Sequence, residues 1–462
     1  MRKIIKCLLF FVGFSLLFTS CQDNFNTSDQ LSDEKSTKAV LQDPVETEPD
    51  SRIVPGGSNL FRLMIQDDAS NSAVIGFNAP TNVINDHRVF YSTKDHGQNI
   101  SAYEMSAQPN IIRPYLEMNN AFVRLTHLKA NTAYYFVVQD SIGISARFWF
   151  KTSPNTPNER LSVIAGGDSR NNRTPRKAAN LLVSKLRPHL IMFSGDMTGG
   201  GSAQEWKEWF QDWQLTIAKD GRMFPIIAAR GNHESSNAMI EQLFDTTPGV
   251  YYAVNVGGNL LRIYTLNSES GIAGAQTNWL QSDLANNEDT LWKFGQYHRP
   301  MRPHTSGKSE GTNQYRYWAD LFHKYQMNVV NEADSHTVKT TWPIRPSTGQ
   351  GSSEGFIRDD EEGTVYVGEG CWGAPLRNND DIKPWTRSSG RFNHFNWIFV
   401  DSTKVEIKVV KVDNADQVAS LTDSTLFQIP ANLDIWKPAE GSTVVIPVRQ
   451  KQMNLSSMGV AN

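Results

Sequence analysis

Five short β-rich runs in this 462-residue chain stop at a residue able to hold a cation. Leu161-Ser162-Val163-Ile164-Ala165 runs into Gly166-Gly167-Asp168, and Leu190-Ile191-Met192-Phe193-Ser194 into Gly195-Asp196. Phe224-Pro225-Ile226-Ile227-Ala228-Ala229 leads to Arg230-Gly231-Asn232-His233-Glu234, Trp292-Lys293-Phe294-Gly295-Gln296-Tyr297 to His298, and Met327-Asn328-Val329-Val330 to Asp334-Ser335-His336. A single Gly-Asn pair after a strand is more often a turn than a ligand. The same ending on five runs points instead to strands that deliver ligands to one edge, where an open α/β sheet keeps its crevice. Carboxylate, carboxamide and imidazole are hard or borderline metal donors.

Helical spacing fills the gaps between these runs. Ala178, Leu181, Leu182 and Leu186 recur behind Thr174-Pro175, which reads as an N-cap followed by proline in the first turn. Further helices are expected from Ala203 to about Leu215, Gln276 to Ala285 and Asn313 to Tyr325. This alternation implies a layered α/β domain over residues 160–412, with strands covered on both faces.

Residues 58–154 follow another pattern. Short alternating runs such as Phe61-Leu63-Ile65 and Phe122-Val123-Leu125, separated by Asp, Asn, Gly and Pro, predict a small all-β sandwich. The stretch Leu125 to Tyr134 resembles a fibronectin type III tyrosine corner, with Tyr134 as the corner residue. His87, His96 and His127 are scattered through it and suit surface or packing roles. Residues 413–462 form a C-terminal extension with strand-like pieces and no assigned role.

Residues 1–21 read as an export signal, with Arg2, Lys3 and Lys6 ahead of the apolar stretch Leu8 to Phe18 and small residues before Cys21. Cys21 sits where a bacterial lipobox places its lipidated cysteine, and an ordinary cleaved signal is the alternative. The expected location is therefore outside the cytoplasm, lipid-anchored to a bacterial cell membrane, at the outer membrane or cell surface. Residues 22–57 are rich in Asp, Glu, Ser, Thr, Asn and Pro, a composition that suits a flexible linker. Cys7 belongs to the signal and Cys21 to the lipid, so Cys371 has no partner for an intrachain disulfide. A formal net charge of -3 gives no electrostatic basis for nucleic-acid binding.

The ordered set Gly-Asp, Gly-Asp, Gly-Asn-His-Glu, His298 before Arg299-Pro300, and a final His336 resembles the calcineurin-like metallophosphoesterases and, within them, the purple acid phosphatases. The resemblance covers roughly residues 59–412. It implies a four-layer sandwich preceded by the small β-domain, and a pair of divalent or trivalent ions drawn from Fe, Mn, Zn or Mg. Asp196 matches the bridging ligand. Asp168 and His336 match ligands of the first metal; Asn232, His298 and Asp334 match those of the second. The activity implied is hydrolysis of phosphate monoesters by a hydroxide held between the metals. A phosphodiesterase on the same centre and a decayed, non-catalytic ligand-binding lipoprotein are the alternatives.

Two departures from the purple acid phosphatase pattern stand out. Gly199 occupies the place of the metal-binding tyrosine, which removes the source of the charge-transfer colour. Asp334 replaces a histidine and gives the second site a harder, anionic ligand that favours Mn, Mg or Fe(II).

Around the metals the resemblance assigns further roles. His233 matches the residue that contacts phosphate or stabilises transition-state charge, with an indirect role beside a ligand as the alternative. Arg170 suits a bidentate phosphate clamp or an exposed loop position. The segment Arg299 to Glu310 stands where the family keeps general-acid histidines, which makes His304 the candidate acid and Lys308 or Arg302 the candidate phosphate grips, against a solvated loop. Gly368-Glu369-Gly370-Cys371-Trp372-Gly373-Ala374 reads either as cleft lining or as a tight turn with Trp372 packed.

Overall fold

A computed structural model describes residues 55–449. The signal at 1–21, the lipidation candidate Cys21 and the linker up to residue 54 lie outside the described residues, as do 450–462. Among the described residues no helix is long and apolar enough to cross a membrane.

Two large sheets stack face to face. The ten-stranded sheet runs, in spatial order, Val444–Pro447, Lys404–Lys411, His394–Val400, Leu161–Gly166, Leu190–Phe193, Ile226–Ala228, Asn59–Met64, Ala73–Asn78, Met118–Leu125 and Ile111–Tyr115. The seven-stranded sheet runs Tyr252–Val256, Leu261–Thr265, Trp292–Gln296, Val329–Glu332, Val365–Gly368, Val338–Thr341 and Thr386–Gly390. Strands Leu161–Gly166, Leu190–Phe193 and Ile226–Ala228 are parallel, as are Trp292–Gln296 and Val329–Glu332, so all five metal-directed runs end in the same sense within their sheets.

Side-chain alternation explains why these strands are apolar throughout. In Leu161–Gly166, Val163 and Ala165 face a core shared with Ile263, Phe294, Val329 and Val367 of the other sheet. Ile164 faces the other way, with Leu182, Val183 and Trp209 of the helices Arg173–Leu186 and Ala203–Trp213. A strand buried on both faces has no polar side to alternate with. On the far side of the second sheet, Leu280 and Leu284 of helix Ala275–Asn286 and Trp318 and Phe322 of the helical stretch 312–324 cover Tyr264, Tyr297 and Tyr366. The order helix, sheet, sheet, helix is the expected four-layer sandwich.

Helix boundaries shift modestly. The first helix begins at Arg173 with Asn172 as its N-cap, two residues before the proline. Helix Ala203–Trp213 is fastened by a capping box between Ser202 and Glu205. Helix Asn237–Phe244 was not anticipated; eight residues make about two turns, too few for a period to declare itself.

The N-terminal region packs two sheets around Phe61, Ile75, Phe77, Val89, Val123, Phe136 and Phe150. The Tyr134 hydroxyl accepts the Lys129 N–H at 2.8 Å. One of these sheets continues into the ligand-bearing strands, because Met64 pairs in parallel with Ile226. Val444–Pro447 likewise extends the same sheet by pairing with Lys404–Lys411. Strand pairing across such sequence separations leaves no local signal, so neither junction is visible in the linear order.

Asp245 ties the junction together. It closes helix Asn237–Phe244 in a left-handed conformation, φ 53°, and is 1% exposed. Arg113 and Arg124 each reach it at 2.7 Å. Beside them Arg62 is buried against the rings of Phe122 and Phe210 and donates to the Leu243 carbonyl at 2.8 Å. Burial lowers the Arg62 guanidinium to about 9, with the charge of Asp245 opposing the drop. Replacing Asp245 with alanine removes the carboxylate these arginines share and should cost about 3 kcal/mol of stability. The urea midpoint of the full chain measures it; an unchanged midpoint contradicts a binding role for this cluster.

Candidate metal centre

The six residues read from the sequence as ligands converge. Asp168, Asp196 and His336 place donor atoms within 4.8 Å of one another, and so do Asp196, His298 and Asp334. Asp196 belongs to both groups. Asn232 joins the second through its Oδ1, 3.0 Å from His298 Nε2. Sheet one contributes Asp168, Asp196 and Asn232, and sheet two His298, Asp334 and His336, so the centre spans the rims of both sheets.

Tight loops make this possible. Asp168, Asp196, Asp334 and His336 all adopt left-handed backbone, with φ of 56°, 55°, 68° and 57°. Each such residue costs about 1–2 kcal/mol. The turn reverses the chain directly after the strand and leaves the side chain over the strand end. Two glycines admit the carboxylates: a Cβ at Gly231 would stand 2.3 Å from Asp196 Oδ1, and one at Gly370 1.9 Å from Asp168 Oδ2. The buried Glu234 carboxylate accepts the N–H groups of Asp196, Met197 and Gly231 at 2.9, 3.0 and 2.7 Å. It thereby straps the second ligand loop to the third. Burial and the charge of Asp196 push the Glu234 carboxyl upward.

The donors suit cations. His298 Nδ1 donates to the Ser194 carbonyl at 2.9 Å, and His336 Nδ1 to the Pro375 carbonyl at 2.8 Å. Both rings therefore turn Nε2 toward the carboxylate oxygens, where a cation would take the place of a proton on that nitrogen. His298 Nε2 lies 3.3 Å from Asp196 Oδ1 and 3.5 Å from Asp334 Oδ1. Burial disfavours a charge on His298, yet Asp196 and Asp168 hold its pKa well above the usual histidine value. Burial likewise opposes ionisation of Asp196 and Asp334, and charge and hydrogen bonds from His298 keep both well below the carboxylate range. Three neighbouring carboxylates with 0%, 0% and 3% exposure are an oxygen donor set suited to a divalent cation.

Of the residues expected around the metals, three are at the centre. Arg170 Nη1 is 3.2 Å from Asp196 Oδ2. His233 gives its backbone N–H to Asp196 Oδ1 at 2.8 Å and directs Nε2 to within 3.8 Å of Asp196 Oδ2. Its Nδ1 donates to the Gly199 carbonyl, so the glycine in the tyrosine's place orients this histidine through its backbone. The Lys308 ammonium contacts Asp334 Oδ1.

His304 and Arg302 are elsewhere. His304 is fully buried, with Nε2 2.6 Å from the Thr386 hydroxyl, its N–H on Glu369 and its ring against Trp385. The expectation that it protonates a leaving group is corrected: it has no path to a substrate. Arg302 pairs with Glu310 at 2.9 Å, donates to the Glu354 carbonyl and covers the Tyr315 ring, so its expected grip on phosphate is corrected too. Both anchor the base of the loop that carries Lys308.

Sequence reading also missed the layer behind the ligands. The buried Lys339 ammonium bridges Glu332 and Glu369 at 2.6 Å each, and Tyr297 donates to Glu332 at 2.6 Å. Burial works against the Glu369 charge, but Lys339 brings its carboxyl down to about 2. Glu369 accepts His336 N–H through its backbone carbonyl at 2.7 Å. The glycine-rich segment 368–374 is therefore a platform under Asp168 and His336, with Trp372 packed in the core as the turn reading had it. An acid and a lysine inside strands, Glu332 and Lys339, with Glu369 directly after one, were the available signal, since such residues are seldom buried unless paired.

This fold and this donor set form a centre able to hold two cations that share Asp196. Residues 169–337 match the model of the calcineurin-like phosphoesterase family. The match starts one residue after Asp168 and contains the other five ligands. Among solved structures, a purple acid phosphatase from yellow lupin (Lupinus luteus) seeds aligns with TM-score 0.68 and 14% identity, over 87% of this chain and 76% of that one. PhoD aligns with TM-score 0.59 and 11% identity, over 89% of this chain and 99% of that one. Two uncharacterised proteins of Mycobacterium tuberculosis are 23% identical over 248 residues, 45% of this chain and 46% of theirs. The match thus spans about half the length of these curated relatives.

Asp196→Asn removes the charge common to both donor groups. Metal content by elemental analysis after dialysis should fall from about two ions per chain to one or none, while wild-type protein loaded with iron should lack a phenolate charge-transfer band in the visible spectrum. Unchanged metal content in the variant would refute the bridging assignment.

Proposed function

We propose that this chain is a metal-dependent phosphoric ester hydrolase acting on phosphate monoesters, exported and held at a bacterial membrane by lipid on Cys21. The observation that carries the hydrolase reading is the single carboxylate, Asp196, common to two adjoining donor groups. A pair of cations bound there would supply Lewis acidity to phosphoryl oxygens and lower the pKa of bound water. Asp168, Asp196 and His336 would hold one, and Asp196, Asn232, His298 and Asp334 the other. The export reading is supported by the residue pattern of 1–21 and the composition of 22–57.

The protein's own groups divide the remaining work. Arg170 presents a planar guanidinium beside Asp196 Oδ2, suited to paired contacts with non-bridging phosphate oxygens. Lys308 adds a second positive charge beside Asp334. Two cations and an imidazole around one centre favour the dianionic terminal phosphate of a monoester over the monoanion of a diester. With Nδ1 committed to Gly199, His233 has Nε2 left to take or give a proton at the substrate, and it is the one histidine of the centre with appreciable side-chain exposure, 28%. That assigns it the role expected of His304.

Hydrolysis of a nitrophenyl phosphate monoester and its diester under Mn, Zn, Fe and Mg tests the proposal. The monoester should be cleaved faster. His233→Gln should lower kcat by about 10²-fold, and Arg170→Ala should raise KM by about tenfold. Faster diester cleavage would overturn the substrate assignment, and two bound metals without hydrolysis would favour a ligand-binding role. Cys21→Ala should move the protein from the membrane fraction to the soluble fraction of the exported pool.

A further inference from the structure

The carboxylates of the centre are not equivalent. Asp196 belongs to both donor groups, Asp168 to the first alone and Asp334 to the second alone. Arg170 contacts Asp196, so its charge acts on both groups. Lys308 contacts Asp334 Oδ1, the oxygen that also faces His298 Nε2 at 3.5 Å. Asp168 is met by the Asp334 N–H and by His336 Nε2 at 2.9 and 3.0 Å, and among the described residues no lysine or arginine ion pair to it is present.

The lysine is held in place. Its loop is pinned on one side where Ser306 N–H and Oγ–H donate to Asp380 at 2.8 and 3.0 Å. On the other side it is pinned by the His304 and Arg302 contacts. Lys308 itself donates its N–H to the Thr305 carbonyl at 3.3 Å, and its side chain is 20% exposed. A buried histidine and arginine spent on anchoring this loop explain why the ammonium stands at one ligand.

Resting on the dinuclear reading, we propose that Lys308 makes the two metal sites unequal: it competes with a cation for Asp334, so the second site binds metal more weakly than the first and empties first. An ammonium and a divalent ion draw on the same carboxylate lone pairs, and two positive charges at contact distance repel. Filling the Asn232, His298 and Asp334 site therefore requires the ammonium to give way. Lys308 is then left beside the centre without an anion, which is where a substrate phosphate supplies one.

Calorimetric titration of the metal-free full chain with Mn²⁺ alone tests this without reference to turnover. Wild type should show two binding steps of different affinity. Lys308→Met should tighten the weaker step by roughly tenfold or more and leave the stronger one in place. Lys308→Arg, which keeps the charge, should preserve the separation, and Arg170→Met should shift both steps together. A weaker step that is unchanged or loosened in Lys308→Met, or two steps tightened equally, overturns the proposal while leaving the hydrolase reading standing. A wild type that binds no Mn²⁺, Zn²⁺ or Fe²⁺ overturns both.

Discussion

Repulsion among Asp168, Asp196 and Asp334 is the constraint that the centre is built around. All three are shut away from solvent, and ionised carboxylates in that setting repel one another with little screening. The chain meets this with His298 among the carboxylates, Arg170 on Asp196 and Lys308 on Asp334. A pair of cations answers it more fully than side chains do. Every neighbouring feature serves to keep these groups together: left-handed ligand residues, glycines without which the backbone would not fit, and the Glu234 strap between loops.

Rigidity comes from the layer below. Glu332 and Lys339 lie within strands beside the candidate ligand loops of sheet two, Glu369 directly follows strand Val365–Gly368, and their ion pairs are buried. Paired charges of this kind add little net stability, but removing one partner is costly, so they fix one arrangement against alternatives. The same logic appears at Asp245, where arginines of the N-terminal sheet meet the helix after Asn232. Metal ligands supplied by two sheets depend on those sheets holding register, and buried polar contacts such as Asn331 to Ser194 at 2.8 Å and Gln296 to the Ile227 carbonyl at 3.0 Å tie one sheet to the other.

His304 shows how motif position can mislead. A histidine downstream of His298 stands where the resembling family keeps an acid, and nothing in the linear spacing says which way its side chain turns. Thr386, Glu369 and Trp385, which settle the matter, arrive from 65 or more residues away. His233 had the opposite fate: its neighbour Asn232 is a candidate ligand beside His298, and that adjacency carried it to the centre.

The sequence by itself determined the layered fold and the six candidate ligands that the fold brings together. Each ligand follows an apolar run, and a run long enough to be buried on both faces must be a central strand, so residue order already places Asp168, Asp196, Asn232, His298, Asp334 and His336 at strand ends. Tertiary structure decided which of the polar residues between those ends face the donor cluster. Lys308 rather than Arg302, His233 rather than His304, and a continuous sheet joining residues 59–64 to 226–228 all depend on pairings between distant segments. Local periodicity reports burial along one element; it carries no information about which other element lies alongside.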